Sequence, residues 1–330
     1  MRAPDFWHAG RGGLMAGGLA PLGALYGFAT ACRRAMASPA HATVPVICVG
    51  NIVAGGAGKT PTTLAIGRVL ADHGETPHFL TRGYGGRIAG PVQVDLAKHD
   101  AEAVGDEALL LARRGPTWVS RNRAAGARAA AAAGASIIVM DDGHQNPGLA
   151  KDLSIVVVDG GFGFGNGRLV PAGPLREPVS TGLARADAIV VIGPDTMGME
   201  RQLKAGGIPV LGAELLPGMA AYEIGERAVV AFAGIGRPAK FFETLEGIGC
   251  QLVGRHSFPD HCRYNPDDIM SLVEEAAEHR AELVTTEKDW VRLDADARPM
   301  VRALPVELAW REPDAIAALL TPFCDKAART

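Results

Sequence analysis

Gly55-Gly56-Ala57-Gly58-Lys59-Thr60 follows the apolar run Val44-Pro45-Val46-Ile47-Cys48-Val49 and precedes a stretch of helical character from Pro61 to Ala71. Strand, glycine-rich turn and helix in that order make a phosphate-binding loop. Glycines let the backbone turn sharply and aim successive N–H groups at phosphate oxygens. The helix that follows turns its positive end toward the same anion. In such a loop Lys59 reaches the β- and γ-phosphates of a nucleotide, and the Thr60 hydroxyl holds Mg²⁺. Val53 stands where the pattern G-x-x-x-x-G-K-[ST] has its first glycine, and Gly55 and Gly56 supply the turn instead. The predicted nucleotide-binding run is Val53, Ala54, Gly55, Gly56, Ala57, Gly58, Lys59 and Thr60.

The rest of the chain has to be consistent with that loop. Its 330 residues suggest about two domains, and 48% apolar with 21% charged residues is a globular composition. A net charge of −3 gives no sign of nucleic-acid binding. Five scattered cysteines, with no C-x-x-C, argue against a disulfide framework or a zinc site and fit a reducing cytosolic setting. No obligate protein partner is evident.

Residues 12–32 carry no charge, and about 20 apolar residues span a bilayer. Many glycines dilute this stretch. Pro21 suits a first helical position, and Leu22, Leu25, Tyr26 and Ala29 then share one face. Arg33 and Arg34 close the helix at its negative end. The expectation is an amphipathic helix within residues 1–40, lying in a membrane interface with arginines toward anionic head groups. Two alternatives stay open. One is a secretory signal cleaved near Met36-Ala37-Ser38, which a cytosolic nucleotide loop argues against. The other is a helix packed on the protein body.

After the loop, Thr76 to Thr81 reads as a strand ending in Arg82-Gly83-Tyr84-Gly85-Gly86-Arg87. Arginines suit an anionic ligand and Tyr84 could stack on a ring; a solvated turn has the same composition. Asp106 is placed to N-cap a helix from Ala108 to Arg114. Ala135 to Met140 is a buried parallel strand ending in Asp141-Asp142, and an Asp at that place binds Mg²⁺ directly or through water. Gly160 to Gly167 does not match G-x-G-x-x-G and opens no helix, so a dinucleotide fingerprint is rejected. The proline-rich run 168–178 carries Arg168 and Arg176. Further strands at 188–192 and 209–211 complete a doubly wound parallel sheet over residues 41–211. A short β-linker is expected at 212–227, then a second, smaller α/β unit over 228–330. That unit has two polar clusters at strand ends, His256 to His261 and Thr285 to Asp289, whose spacing fits no zinc signature.

Taken together, these motifs resemble the tetraacyldisaccharide 4′-kinases, the lipid A disaccharide kinases. The resemblance runs through Val49-Gly50-Asn51 and Gly55 to Pro61, Thr81 to Gly85, Val104 to Glu107, and Asp141-Asp142-Gly143 with Gln145. It continues through Asn166-Gly167-Arg168, Pro171 to Glu177, Phe232 to Pro238, Phe258 to His261 and Thr285 to Asp289. The chain departs at His144, where the family often has an aromatic residue, and at Asn146, where it often has His.

The resemblance implies two α/β/α domains joined by a β-linker and a membrane-associated N-terminal helix at the cytoplasmic face of the inner membrane. It implies transfer of the γ-phosphoryl of ATP to the 4′-hydroxyl of a tetraacyldisaccharide 1-phosphate, a lipid A precursor, with Mg²⁺. Asp106 looks like the general base and His261 its partner, with Lys59 completing the catalytic set. Thr60, Asp141 and Asp142 would hold the metal. Arg82, Tyr84, Arg121, Arg168 and Arg176 are candidates for the acceptor. The alternative function is a nucleotide-switched membrane adaptor, in which Asp106 is only a helix cap. A soluble small-molecule kinase is a third reading.

Overall fold

The structure is a computed structural model describing residues 4–236, 238–260 and 262–324. The strands, in chain order, are β1 (Val46–Gly50), β2 (Pro77–Thr81), β3 (Val92–Gln93), β4 (Thr117–Val119), β5 (Ile137–Asp141), β6 (Leu153–Asp159) and β7 (Ala188–Ile192). They continue as β8 (Val210–Pro217), β9 (Ala228–Ala233), β10 (Gln251–Ser257), β11 (Glu282–Thr286), β12 (Arg302–Leu304) and β13 (Val306–Trp310). Nine of them form one sheet in the order β13-β8-β7-β6-β1-β5-β2-β4-β3. All its neighbours are parallel except β3 on β4 and β13 on β8 at the two edges.

β1, β5 and β7 are buried along their whole length, because helices cover both faces. Alternate residues divide between two cores. Ile47, Val49, Ile137 and Val139 face the helices Lys59–Asp72 and Pro313–Cys324. Val46, Cys48, Ile138 and Met140 face the helix Arg123–Ala132. The chain leaves β1 toward β2 on one side and later adds β6 on the other, so the order reverses at β1. Ligands in such sheets bind beyond the strand ends at this switch point.

The second sheet is parallel, in the order β10-β9-β11-β12. Phe241, Phe242 and Leu245 cover one face of it, and Ile269, Leu272 and Ala276 the other.

The expected division at 228–330 is corrected by the pairing. β13 leaves the small sheet and lies antiparallel on β8, from Val306 opposite Pro217 to Trp310 opposite Ala213. The helix Pro313–Cys324 then buries Ile316 and Leu320 in the core of the large sheet. The expected β-linker is in part the far end of β8, and Met219–Ile224 is a 3₁₀ helix instead of a strand. Its Ala221 and Ile224 are drawn into the small-sheet core.

At the N-terminus a helix runs from Gly13 to Ala35, with Pro21 inside it and not at its start. Proline there removes one intrahelical hydrogen bond. The helix is long and apolar enough to cross a membrane, and most of it is exposed, Leu14 at 97%. One face rests on the proline-rich loop. A Cβ on Gly27 would stand 2.6 Å from Leu169 Cδ1, and one on Gly23 3.1 Å from the Leu169 carbonyl oxygen. Trp7 Nε1 donates to the Pro171 carbonyl at 3.1 Å, and Arg34 pairs with Glu177 at 3.1 Å.

The return of the chain to the large sheet is testable. Leu320→Ala is expected to lower stability by about 2–5 kcal/mol, the cost of a cavity in a packed core. Urea unfolding measures it, and a loss under about 1 kcal/mol would contradict the docking of this helix.

Candidate active site

β1 delivers the glycine-rich loop to the switch point. The loop begins strapped to the proline-rich run. Val53 forms a β-bridge with Leu175, Ala54 N–H donates to the Pro174 carbonyl at 2.7 Å, and Arg176 N–H donates to the Ile52 carbonyl at 2.8 Å. Val53 also packs into the apolar cluster around Ile52 and Leu175. Its departure from glycine follows from that extended, packed position. Flexibility is needed further on, where Gly55 has φ +127° and Gly58 φ +87°. A Cβ on Gly58 would also stand 2.5 Å from Ile192 Cδ1.

The following helix starts at Lys59, two residues before the expected Pro61. Lys59 is buried, and its Nζ donates to the Gly55 carbonyl at 3.3 Å and lies 4.0 Å from Asp142 Oδ1. Thr60 Oγ1 donates to Asp141 Oδ2 at 3.0 Å. Thr63, one turn on and absent from the predicted set, donates to Asp141 Oδ1 at 3.1 Å.

The two adjacent aspartates have opposite electrostatics. Asp141 ends the buried strand β5, and burial pushes its carboxyl up to about 7, with Glu107 and Asp142 adding to the rise. Asp142, in a left-handed conformation at φ +50°, is half-buried. Lys59 and Arg176 outweigh that burial and hold it below the usual carboxylate range. Arg176 Nη1 reaches its two oxygens at 2.7 and 3.0 Å.

This donor set fits a hard divalent cation. A buried carboxylate whose charge lacks compensation lies against a threonine hydroxyl, and both are oxygen ligands. Among the described residues no three His, Cys, Asp or Glu side chains converge to hold a metal by themselves. Mg²⁺ at nucleotide sites is bound by one or two carboxylates together with substrate phosphates.

Asp106 is placed differently from the sequence expectation. Gly105, at φ +87°, is the cap residue of the helix Asp106–Ala112, and Asp106 is its first residue. Asp106 Oδ1 accepts from the adjacent Glu107 N–H at 2.9 Å. Its Oδ2 accepts from Arg292 Nε at 3.0 Å and from Arg292 Nη2. Lys288 Nζ is 3.8 Å away. Its side chain is 6% exposed, so it is no surface charge, and the cap position belongs to Gly105. His261 lies outside the described residues.

Of the acceptor candidates, Arg82, Tyr84 and Arg121 are exposed and share one neighbourhood. Arg121 Nη2 donates to the Gly86 carbonyl at 3.3 Å. The loop packs on the start of the Asp106 helix, where a Cβ on Gly105 would stand 2.4 Å from the Tyr84 carbonyl oxygen. Arg176 belongs to the aspartate pair. Arg168 is exposed on the loop under the N-terminal helix.

A further residue outside the predicted set is Arg123. It is buried, its Nη1 donates to the Ser120 carbonyl at 2.5 Å, and its Nε has no hydrogen-bond partner among the described residues. Burial, helped by Arg82, lowers it to about 10, while Asp142 and Asp141 act in the other direction. An unpaired guanidinium N–H in that company suits an anionic oxygen. Its signal in the sequence is Arg121-Asn122-Arg123 at a strand end, where composition does not tell the buried arginine from the exposed one.

His144 and Asn146 prove to be structural. His144 lies between Ser154 Oγ at 3.0 Å and the Gly182 carbonyl at 2.9 Å, and burial pushes it down to about 4, which keeps it neutral. Asn146 Oδ1 accepts from Gly148 N–H at 3.0 Å and closes a turn. Gln145 ties this segment to the loop, donating to the Asn51 carbonyl at 2.7 Å and to Glu177 at 3.0 Å.

A solved structure shares this overall fold. A crystal structure of LpxK from Aquifex aeolicus in complex with ATP superposes with a TM-score of 0.75 at 25% identity, covering 94% of this chain and 100% of that one. The tetraacyldisaccharide 4′-kinase of Paramagnetospirillum magneticum is 56% identical over 99% of this chain and 98% of its own length. That of Rhodospirillum centenum is 53% identical over 98% and 97%. With the family model of tetraacyldisaccharide-1-P 4′-kinases matching residues 15–324, the chain belongs to that family.

Proposed function

We propose that this protein transfers the γ-phosphoryl group of ATP to the 4′-hydroxyl of a tetraacyldisaccharide 1-phosphate, a step of lipid A biosynthesis. The observation that carries the reading is the meeting of three elements at the ends of β1 and β5. These are the glycine-rich loop, the Thr60–Asp141 pair and, through Glu107, the head of the Asp106 helix.

Residues 53–60 bind the triphosphate through backbone N–H groups, and Lys59 places its charge on the β- and γ-phosphates. Thr60, Asp141 and Asp142 would hold Mg²⁺, which neutralises phosphate charge when bound. Asp106 takes the proton of the 4′-hydroxyl as that oxygen bonds to the γ-phosphorus and the bond to the bridging oxygen of ADP breaks. His261 is its proposed partner. Arg123 and Arg82 supply cationic N–H groups for phosphoryl or acceptor oxygens, and Tyr84 and Arg121 line the same mouth. The acceptor is a lipid, which gives the N-terminal helix its use. Its exposed apolar face enters the bilayer surface on the cytoplasmic side, with Arg33 and Arg34 toward anionic head groups. A membrane adaptor would use Asp106 only as a helix cap, and Asp106 does not occupy the cap position.

Two outcomes test this. Asp106→Asn should lower kcat by about 10²–10⁴-fold with ATP affinity nearly unchanged, measured by lipid phosphorylation and nucleotide titration. An equal loss in both would return Asp106 to a structural role.

The second concerns Asp141. Its folded carboxyl titrates at about 7, well above the ordinary value of 3.8. Stability present at low pH should therefore be lost as pH rises from about 4 to about 7, then level off. His144, lowered to about 4, opposes this trend in the same window. The quantity to read is thus the difference in melting temperature between wild type and Asp141→Asn in EDTA. A difference that does not vary with pH would refute the assignment.

A further inference from the structure

Asp106 and Arg292 come from different sheets and are closed off from solvent together, each side chain 6% exposed. Arg292 follows the short helix Glu287–Trp290 beyond β11. Its Nε and Nη2 both donate to Asp106 Oδ2. Its Nη1 donates to Asp289 Oδ1 at 2.9 Å and to the Gly234 carbonyl at 3.0 Å. Asp289 is fully buried, and its Oδ2 accepts from Thr286 Oγ1 at 2.6 Å. Asp289 and Gly234 stand just beyond the ends of β11 and β9, so the guanidinium is fixed to the small sheet. Asp106 is fixed to the large one.

The surroundings make this contact a seat. Val291 packs with Val104, Ala108, Leu109 and Val119 of the large-sheet side. The Arg113 guanidinium lies 4.4 Å from the centre of the Trp290 ring, and Arg114 pairs with Glu287 at 3.5 Å.

We propose that Arg292 is a positioning residue for phosphoryl transfer, holding the Asp106 carboxylate ionised and oriented from across the junction of the two sheets. This rests on the reading of Asp106 as the base. A carboxylate this buried drifts toward its neutral form, and a protonated base accepts nothing. An arginine fork favours the charged form and fixes its direction. The described charged and titratable groups around Asp106 are Arg292 and Lys288 from the small-sheet side and Glu107 beside it on its own helix. Asp289 and Tyr264 stand behind Arg292. Across the same junction Arg263 pairs with Glu102, to which Arg87 pairs from Glu102's own side. Because Asp289 and Gly234 hold the guanidinium, parting the sheets would carry it away from Asp106. The base is then competent only when the small sheet is seated.

The test is the pH profile of kcat/KM for the full chain in detergent, with Mg-ATP and the tetraacyldisaccharide 1-phosphate. Wild type, Arg292→Met, Arg292→Lys and Asp106→Asn are compared. Arg292→Met should move the acid limb up by about one to three pH units, because loss of the cation raises the carboxyl pKa. Arg292→Lys keeps the buried charge and so the fold, and should move the limb less, in the same direction. If both arginine variants lose rate uniformly with the limb in place, Arg292 is only structural and the inference falls. If Asp106→Asn keeps turnover, the base assignment fails, and Arg292 with it. If Asp106→Asn is inactive while the arginine variants leave the limb unmoved, only the Arg292 inference fails.

Discussion

A carboxylate at the end of a strand buried on both faces has lost its water, and its charge must be matched by something else. Asp141 sets that condition on this fold. Thr60 and Thr63 give its two oxygens hydrogen bonds from one turn of helix, which brings the start of that helix against β5. Lys59 then falls between the glycine loop and Asp142, and Arg176 closes on Asp142 from the proline-rich run. Arg176 is the residue after Leu175, to which Val53 is bridged, so the loop is held at both ends by groups that answer to the aspartates. The hydrogen bonds leave the Asp141 charge undercompensated, as its raised pKa records. The apolar sheet supplies rigidity, and under the proposed function a bound Mg²⁺ would supply the missing charge.

What was legible in the sequence was local. A glycine-rich turn between strand and helix, and an apolar strand ending in Asp-Asp, put chemistry within a few residues of a recognisable element. The doubly wound sheet followed from the same runs. Local rules also misled. Asp before an apolar helical run is the common signature of an N-cap, yet Gly105 takes that position because only glycine fits under the Tyr84 carbonyl at φ +87°. Pro21 has the features of a helix start, but the helix extends eight residues N-terminal to it.

Other parts were illegible because their partners are remote. Arg292 meets Asp106 across 186 residues, and nothing in the segment Trp290-Val291-Arg292 announces a carboxylate. Arg123 looked like one arginine of a loop until burial singled it out. β13 has the composition of any short strand, and its choice of β8 as neighbour depends on Leu308 and Trp310 finding the core of the large sheet.

The pairing of β8 with β13 makes the small sheet an insertion. The chain leaves the large sheet at Pro217 and re-enters it at Val306, and these two residues face each other across the ladder. Topologically, residues 218–305 occupy the loop of a β-hairpin. The nine-stranded sheet contains no strand from that interval and would be complete if a tight turn replaced it. The tethers are two adjacent, hydrogen-bonded strands, so the inserted unit leaves and rejoins the large sheet at a single edge. Its only covalent links to the nine-stranded sheet are these two strands, and the Asp106–Arg292 ion pair adds a non-covalent one away from that edge.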